Sequence, residues 1–138
     1  MKKFILMRQE LLEETCPVAT QDIHVNVVNR QHAIDEYNYG PANPAEPEDY
    51  WQKSADIWGI KVDTAKTMKC ENCAAFDISD KMRKCISAGI KGEHDIDAMA
   101  TIEKSDLGYC NLLHFKCAGS RSCKVWLTNG PIDDADLT

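Results

Sequence analysis

Seven cysteines in 138 residues constrain this chain more than any other feature. Cys70-Glu71-Asn72-Cys73 is a C-x-x-C pair, Cys85, Cys110, Cys117 and Cys123 follow it, and Cys16 stands alone near the front. The apolar fraction is 43%, but Leu, Ile, Val and Phe are sparse, and Asp, Glu, Lys and Arg make up 28%. A core this small usually needs a metal, disulfides or partner subunits. In a chain without an export signal, seven cysteines point to metal or redox chemistry before disulfides.

Charge and hydropathy narrow the function classes. The net charge is −6, which argues against a phosphate-backbone binder, so no nucleic-acid partner is expected. No run of eighteen apolar residues occurs, so no membrane span is expected. Met1-Lys2-Lys3 followed by Phe4-Ile5-Leu6-Met7 imitates a signal sequence, but Arg8, Gln9 and Glu10 end the apolar run too early. The expected location is therefore a cytoplasm.

The chain divides near residue 60, into an N-terminal region over 1–60 and a cysteine-rich domain over 61–138. Phe4, Met7, Leu11 and Leu12 have helical spacing. Residues 15–47, with the proline-rich run Tyr39–Pro47, read as an extended or turn-rich arm. Alternation over 22–28 reads as an edge strand. A helix starts at Pro47, places Trp51, Ala55 and Trp58 on one face and ends at Gly59. Further helices are expected over 63–69, from a Ser79 cap to about Gly89, and over 95–104. Two short strands, 109–115 and 122–127, should flank a turn at Gly119-Ser120. The expected fold is a small irregular α+β domain. Few short helices and a C-terminal hairpin surround a metal or iron–sulfur cluster, with an extended N-terminal arm.

Two thiolates two residues apart can close over one metal, with backbone N–H groups turned towards the sulfurs. Structural zinc sites commonly pair two such knuckles, and this chain has one. One close pair plus dispersed later cysteines suits a cubane, whose corners lie farther apart than the ligands of a single ion. Phe76, Tyr109, Leu112, Leu113, Phe115 and Trp126 crowd the cysteines in sequence. Such an apolar shell excludes water and tunes a cluster, and it also reads simply as core.

Cys70-Glu71-Asn72-Cys73-Ala74-Ala75-Phe76, Gly108-Tyr109-Cys110-Asn111-Leu112-Leu113 and Ser122-Cys123-Lys124-Val125-Trp126 resemble segments of the high-potential iron–sulfur proteins. That resemblance implies Cys70, Cys73, Cys110 and Cys123 as the ligands of a [4Fe-4S] cluster, with Tyr109, Phe76 and Trp126 as its aromatic shell. The chain departs from that family in the long gap between Cys73 and Cys110, in its front half and in lacking an export signal. As a whole it resembles small proteins with this cysteine pattern encoded by tailed bacteriophages. That likeness implies a host cytoplasm, incorporation into a virion and other virion proteins as partners.

Cys117 is an alternative ligand, Cys85 reads as a buried apolar side chain, and Cys16 as buried or free. His114, four residues after Cys110, reads as a strand surface group or a hydrogen-bond donor behind the ligands, with ligation in a Cys3His zinc site as the alternative. No Ser–His–Asp pattern, phosphate-cradling loop or H-E-x-x-H is present, so no enzyme is expected. The expected function is a cluster-stapled structural or interaction protein whose N-terminal arm contacts neighbouring subunits. A one-electron carrier and a zinc-stabilised interaction module are the alternatives.

Overall fold

The computed structural model describes residues 16–93 and 98–137 of the chain. The helical spacing over 4–14 therefore lies outside the described residues. The elements in order are α1 (Val18–Gln21), α2 (Ile23–Tyr37), α3 (Tyr50–Trp58), α4 (Val62–Ala65), a 3-10 turn (Cys70–Asn72), β1 (Phe76–Asp77), α5 (Asp80–Glu93), α6 (Ala98–Ser105), β2 (Leu107–Cys110), β3 (Phe115–Ala118) and a second 3-10 turn (Asp134–Leu137). The fold is a small mixed α/β arrangement around a three-stranded antiparallel sheet of order β1-β2-β3.

The expected edge strand over 22–28 is instead the first part of α2. Asp22 caps this helix, its carboxylate accepting from the backbone N–H groups of His24 and Val25 at 2.9 and 3.2 Å. Tertiary contacts then override the β-branched run. Asn26 accepts from the Lys116 backbone N–H at 2.7 Å, and Asn29 donates to the His114 carbonyl at 2.6 Å. One bond falls on β3 and the other on the turn residue just before it, so the helix covers the open edge of the sheet. The extended reading of 15–47 is corrected in the same way: residues 16–37 are largely helical, and the irregular path is confined to 38–49.

The helix expected at Pro47 begins at Tyr50, whose N–H bonds to the Pro47 carbonyl at 3.0 Å. Gly59 ends it in the left-handed region at φ 69°. Trp51 and Ala55 are buried with Ala65 in a satellite core, and Trp58 packs beside them. The helix expected over 63–69 is a single turn, Val62–Ala65.

Ser79 caps α5 as expected, accepting from the Met82 N–H at 3.3 Å. The helix runs past Gly89 to Glu93. Gly89 does not end it, because its role is close packing: a Cβ there would lie 1.7 Å from the Thr20 carbonyl oxygen of α1. The helix expected over 95–104 is observed as Ala98–Ser105, and residues 95–97 lie outside the described set.

The C-terminal hairpin differs in register from expectation. Its strands are Leu107–Cys110 and Phe115–Ala118, and Cys110 faces Phe115 across the ladder. The turn is at 111–114, where His114 adopts φ 59° and its N–H bonds to the Cys110 carbonyl at 2.8 Å. Residues 122–127 form no strand. Ser122 instead bridges to Gly40, and the Lys124 N–H bonds to the Tyr37 carbonyl at 2.6 Å.

Strand alternation separates two cores. Leu107 and Tyr109 of β2 face α5 and α6 with Met82, Cys85, Ile86 and Ile102. Cys110, Phe115 and Cys117 face the other side, with Cys70, Cys73, Phe76, Ala33 and Tyr39. Ala33 and Tyr39 come from the front of the chain, so the segment before residue 60 shares a core with the cysteine half.

Cys16 and Cys85 form a disulfide, with Cα atoms 5.5 Å apart. Cys85 is buried in the apolar core as expected, but it is paired with Cys16, which is therefore not free. The two are 69 residues apart, and pairing at that separation is not encoded in local spacing. Among the described residues, no helix is long and apolar enough to cross a membrane.

Candidate metal centre

Five cysteines remain as thiols: Cys70, Cys73, Cys110, Cys117 and Cys123. All five belong to one core, and none is more than 8% exposed. The four residues expected as ligands, Cys70, Cys73, Cys110 and Cys123, are therefore brought into the same buried region, together with Cys117. Among the described residues, no three His, Cys, Asp or Glu side chains are grouped as a single metal ion would need.

The C-x-x-C pair sits on a 3-10 turn closed by the bond from the Cys73 N–H to the Cys70 carbonyl at 2.9 Å. Asn72, inside the pair, fixes the turn. Its side chain accepts from the Lys69 N–H at 3.1 Å and from the Trp126 indole at 2.9 Å, and donates to the Thr67 carbonyl at 2.7 Å. The turn is strapped to the segment after β3 by bonds from Cys70 N–H to Arg121 and from Glu71 N–H to Gly119, at 2.6 and 2.9 Å. Gly130 passes so close behind Cys73 that a Cβ would lie 1.8 Å from its carbonyl oxygen, so a side chain there would displace the pair.

Backbone donors converge on the sulfurs. The Leu113 N–H points at Cys110 Sγ at 3.3 Å, and the Leu127 N–H at Cys73 Sγ at 3.4 Å. Leu112 gives Cys110 a second backbone donor, and Val125 gives one to Cys123. Such bonds favour the thiolate. Burial works against it. Burial raises the Cys110 thiol and pushes Cys123 up to about 12, and the neighbouring cysteines add to both shifts. Cys117 is raised well above its ordinary value by burial, and then by its hydrogen bond to Cys70. A cation in this core would reverse the balance, since thiolates are what metals bind.

The aromatic surroundings differ from the expected shell in one member. Phe76 lies fully buried beside the cysteines and Trp126 packs against them, its indole donating to the Lys69 carbonyl at 2.8 Å. Tyr109 does not join them. It precedes Cys110 on one strand and so points to the helix face. Its place is taken by Tyr39, whose ring meets Phe115 edge-on at 4.7 Å. Tyr39 is fixed by accepting from the Ala118 N–H at 3.1 Å, and nothing local in its proline-rich segment marks it as core. Leu112, expected as part of the enclosure, is exposed.

His114 stands exposed on the hairpin turn, outside the thiol core, and so do His24 and His32 on α2. Among the described residues, no histidine joins the thiol core. Ser122, next to Cys123, is fully buried, and its hydroxyl has no partner among the described residues. Buried thiols, backbone N–H donors and an apolar wall are features that a thiolate-bound metal or iron–sulfur group would use.

No protein-family model matches the chain, and no curated protein or solved structure is significantly similar to it. The case for function therefore rests on these residues.

Proposed function

We propose that this is a structural or interaction protein, without catalytic activity, whose small core is stapled by a [4Fe-4S] cluster held by Cys70, Cys73, Cys110 and Cys123. The observation that carries this reading is the convergence of five buried thiols, three of them receiving backbone N–H bonds, in one apolar core. The Cys70–Cys73 turn, the Cys110 hairpin and the Cys123 segment come from separate parts of the chain. A bound cluster would tie them together, and its binding energy would become folding energy. The group supplies four metal-bound positions for thiolates. The protein supplies the thiolates, orients them through the Asn72 and hairpin hydrogen bonds, and excludes water with Phe76, Phe115 and Tyr39.

The setting we propose is a phage particle, following the resemblance of the whole chain to small phage-encoded proteins. Exposed Ile23 and Val27, four residues apart on α2, and nearby Val18 and Val28 offer an apolar contact for a neighbouring virion protein. In infected cells, the wild-type chain should copurify with particles on a density gradient. Val27→Asp should leave its visible spectrum unchanged and reduce its particle content at least several-fold. Absence of the wild-type chain from particles would overturn this reading.

The one-electron carrier remains the second reading, on a specific observation. Leu127 donates to Cys73 Sγ through its backbone while its side chain is exposed, and Leu112, beside Cys110, is exposed as well. These two side chains would give a redox partner an apolar approach to the thiols. Reversible one-electron exchange with a physiological donor, together with absence from particles, would make this the better account.

A further inference from the structure

The Cys16–Cys85 disulfide borders a cavity of about 540 Å³, a volume suited to a small molecule. Lys81 and Ala88 line it from the face of α5 that carries Cys85. Lys84 lines it too, its ammonium held by Asp80 at 2.9 Å. Asp134 enters from the C-terminal 3-10 turn and accepts from the Asp80 N–H at 2.9 Å. Among the described residues, Lys81 makes no ion pair. The cavity therefore sets an ammonium and a carboxylate beside a sulfur–sulfur bond. The two sulfurs belong to unequally open residues: Cys85 is 4% exposed, whereas Cys16 is half-buried. Nor does α1 depend on this link alone. Ala19 and Thr20 are buried, Gly89 admits the Thr20 backbone, and Gln21 donates to the Cys85 carbonyl at 2.8 Å. These contacts remain when the sulfur–sulfur bond is broken.

We propose that this cavity is a thiol–disulfide exchange site, where a small zwitterionic peptide thiol of the glutathione class seats and attacks Cys16. Lys81 receives a carboxylate of the peptide and Asp134 its ammonium group. The thiolate attacks Cys16 Sγ, the more open of the two sulfurs. A bond forms between the peptide sulfur and Cys16, the Cys16–Cys85 bond breaks, and Cys85 leaves with the electron pair and takes a proton from water. A second peptide thiol then attacks the peptide sulfur of the mixed disulfide and releases Cys16 as a thiol. Two peptide thiols become one peptide disulfide, and their two electrons reduce the protein link. The reverse sequence, with the peptide disulfide as oxidant, closes it again. Opening separates the Cys16 sulfur from α5 and leaves α1 seated on that helix.

This inference is independent of the proposed cluster. To test it, the full-length protein is equilibrated with glutathione disulfide and then mixed anaerobically with glutathione. Samples are quenched in acid, alkylated and mapped by peptide mass, with far-ultraviolet dichroism recorded in parallel. A glutathione adduct should appear first on Cys16, followed by free thiols at Cys16 and Cys85, with the dichroism unchanged. The same course is followed for Lys81→Glu and with 2-mercaptoethanol, a thiol without charged groups. Lys81→Glu should slow opening by glutathione several-fold more than it slows opening by 2-mercaptoethanol. An adduct on Cys85 in place of Cys16, or a link that glutathione leaves closed, would overturn the proposal. So would equal slowing of the two thiols in Lys81→Glu, or loss of helical dichroism on opening, which would make the link a structural staple only. Cys16 and Cys85 remaining as thiols after treatment with glutathione disulfide would overturn it as well.

Discussion

The two faces of the sheet solve the same problem by different chemistry. On one face, α5 and α6 cover Tyr109 with Met82, Ile86 and Ile102, and the Cys16–Cys85 disulfide ties α5 to the start of the described chain. That side is an ordinary apolar layer with a covalent clip. On the other face, Phe76, Phe115 and Tyr39 surround five thiols, and α2 contributes Ala33 while the rest of the cover comes from short irregular segments. A core rich in cysteine buries less hydrocarbon per residue than one of Leu and Ile, so its stability must come from elsewhere. The comparison teaches that the thiol face, with less hydrocarbon to bury, is where the proposed bound group would contribute most, while the helix face closes by conventional packing and a disulfide.

The largest expected effect breaks that symmetry directly. Cys110→Ser, Cys73→Ser or Cys123→Ser should each reduce bound iron from about four per chain to near zero, because each removes one of the proposed ligands. Far-ultraviolet dichroism should then show loss of the hairpin and the C-x-x-C turn. Cys85→Ser, on the opposite face, should retain full iron content. Equal loss of iron from both classes of variant would remove the distinction between the faces.

A smaller effect comes from the clip. Opening the Cys16–Cys85 link frees a loop with a sequence separation of 69 residues, a loss of about 4 kcal/mol of stability in the loop-closure account. Cys16→Ser should lower the urea midpoint of the iron-loaded protein without bleaching its visible spectrum. Bleaching in step with loss of the link would show that the two faces depend on one another.

The smallest effect concerns pH. Burial raises the Tyr50 phenol above its ordinary value of 10.0, and its hydroxyl donates to the Asn38 and Ser122 carbonyls at 2.7 and 3.0 Å. The folded state therefore holds this proton more tightly than the unfolded chain does. The resulting stability is fully present below pH 10.0 and is lost as the pH rises above it. Urea midpoints should fall with rising pH in that alkaline range, and Tyr50→Phe should flatten that slope. An unchanged slope in Tyr50→Phe would assign the alkaline loss to other groups.

What the sequence made legible was local. The C-x-x-C turn, the Ser79 cap and the Gly59 stop depend on neighbouring residues and could be read directly. The Trp51 and Ala55 face was also visible, since helical spacing alone defines it. The failures are tertiary. Ile23, Val25 and Val27 alternate like a strand, yet the Asn26 bond to β3 and the Asn29 bond to the turn before it hold the segment as a helix. Tyr109 was grouped with its neighbour Cys110, although strand alternation sends the two to opposite faces. Tyr39 and the Cys16–Cys85 pair carry no local signal, because their partners are distant in the chain. Cys117 lies between Cys110 and Cys123 in the sequence, but only the pairing of β3 with β2 shows that it joins them in the thiol core.

The central claim is that the thiol face is completed by an iron–sulfur cluster. Anaerobic purification of the full-length chain, followed by iron, zinc and acid-labile sulfide analysis and a visible spectrum, tests it most directly. The account predicts a brown protein with about four irons and four sulfides per chain. A colourless protein carrying one zinc and no iron would contradict it and make this a zinc-stabilised interaction module.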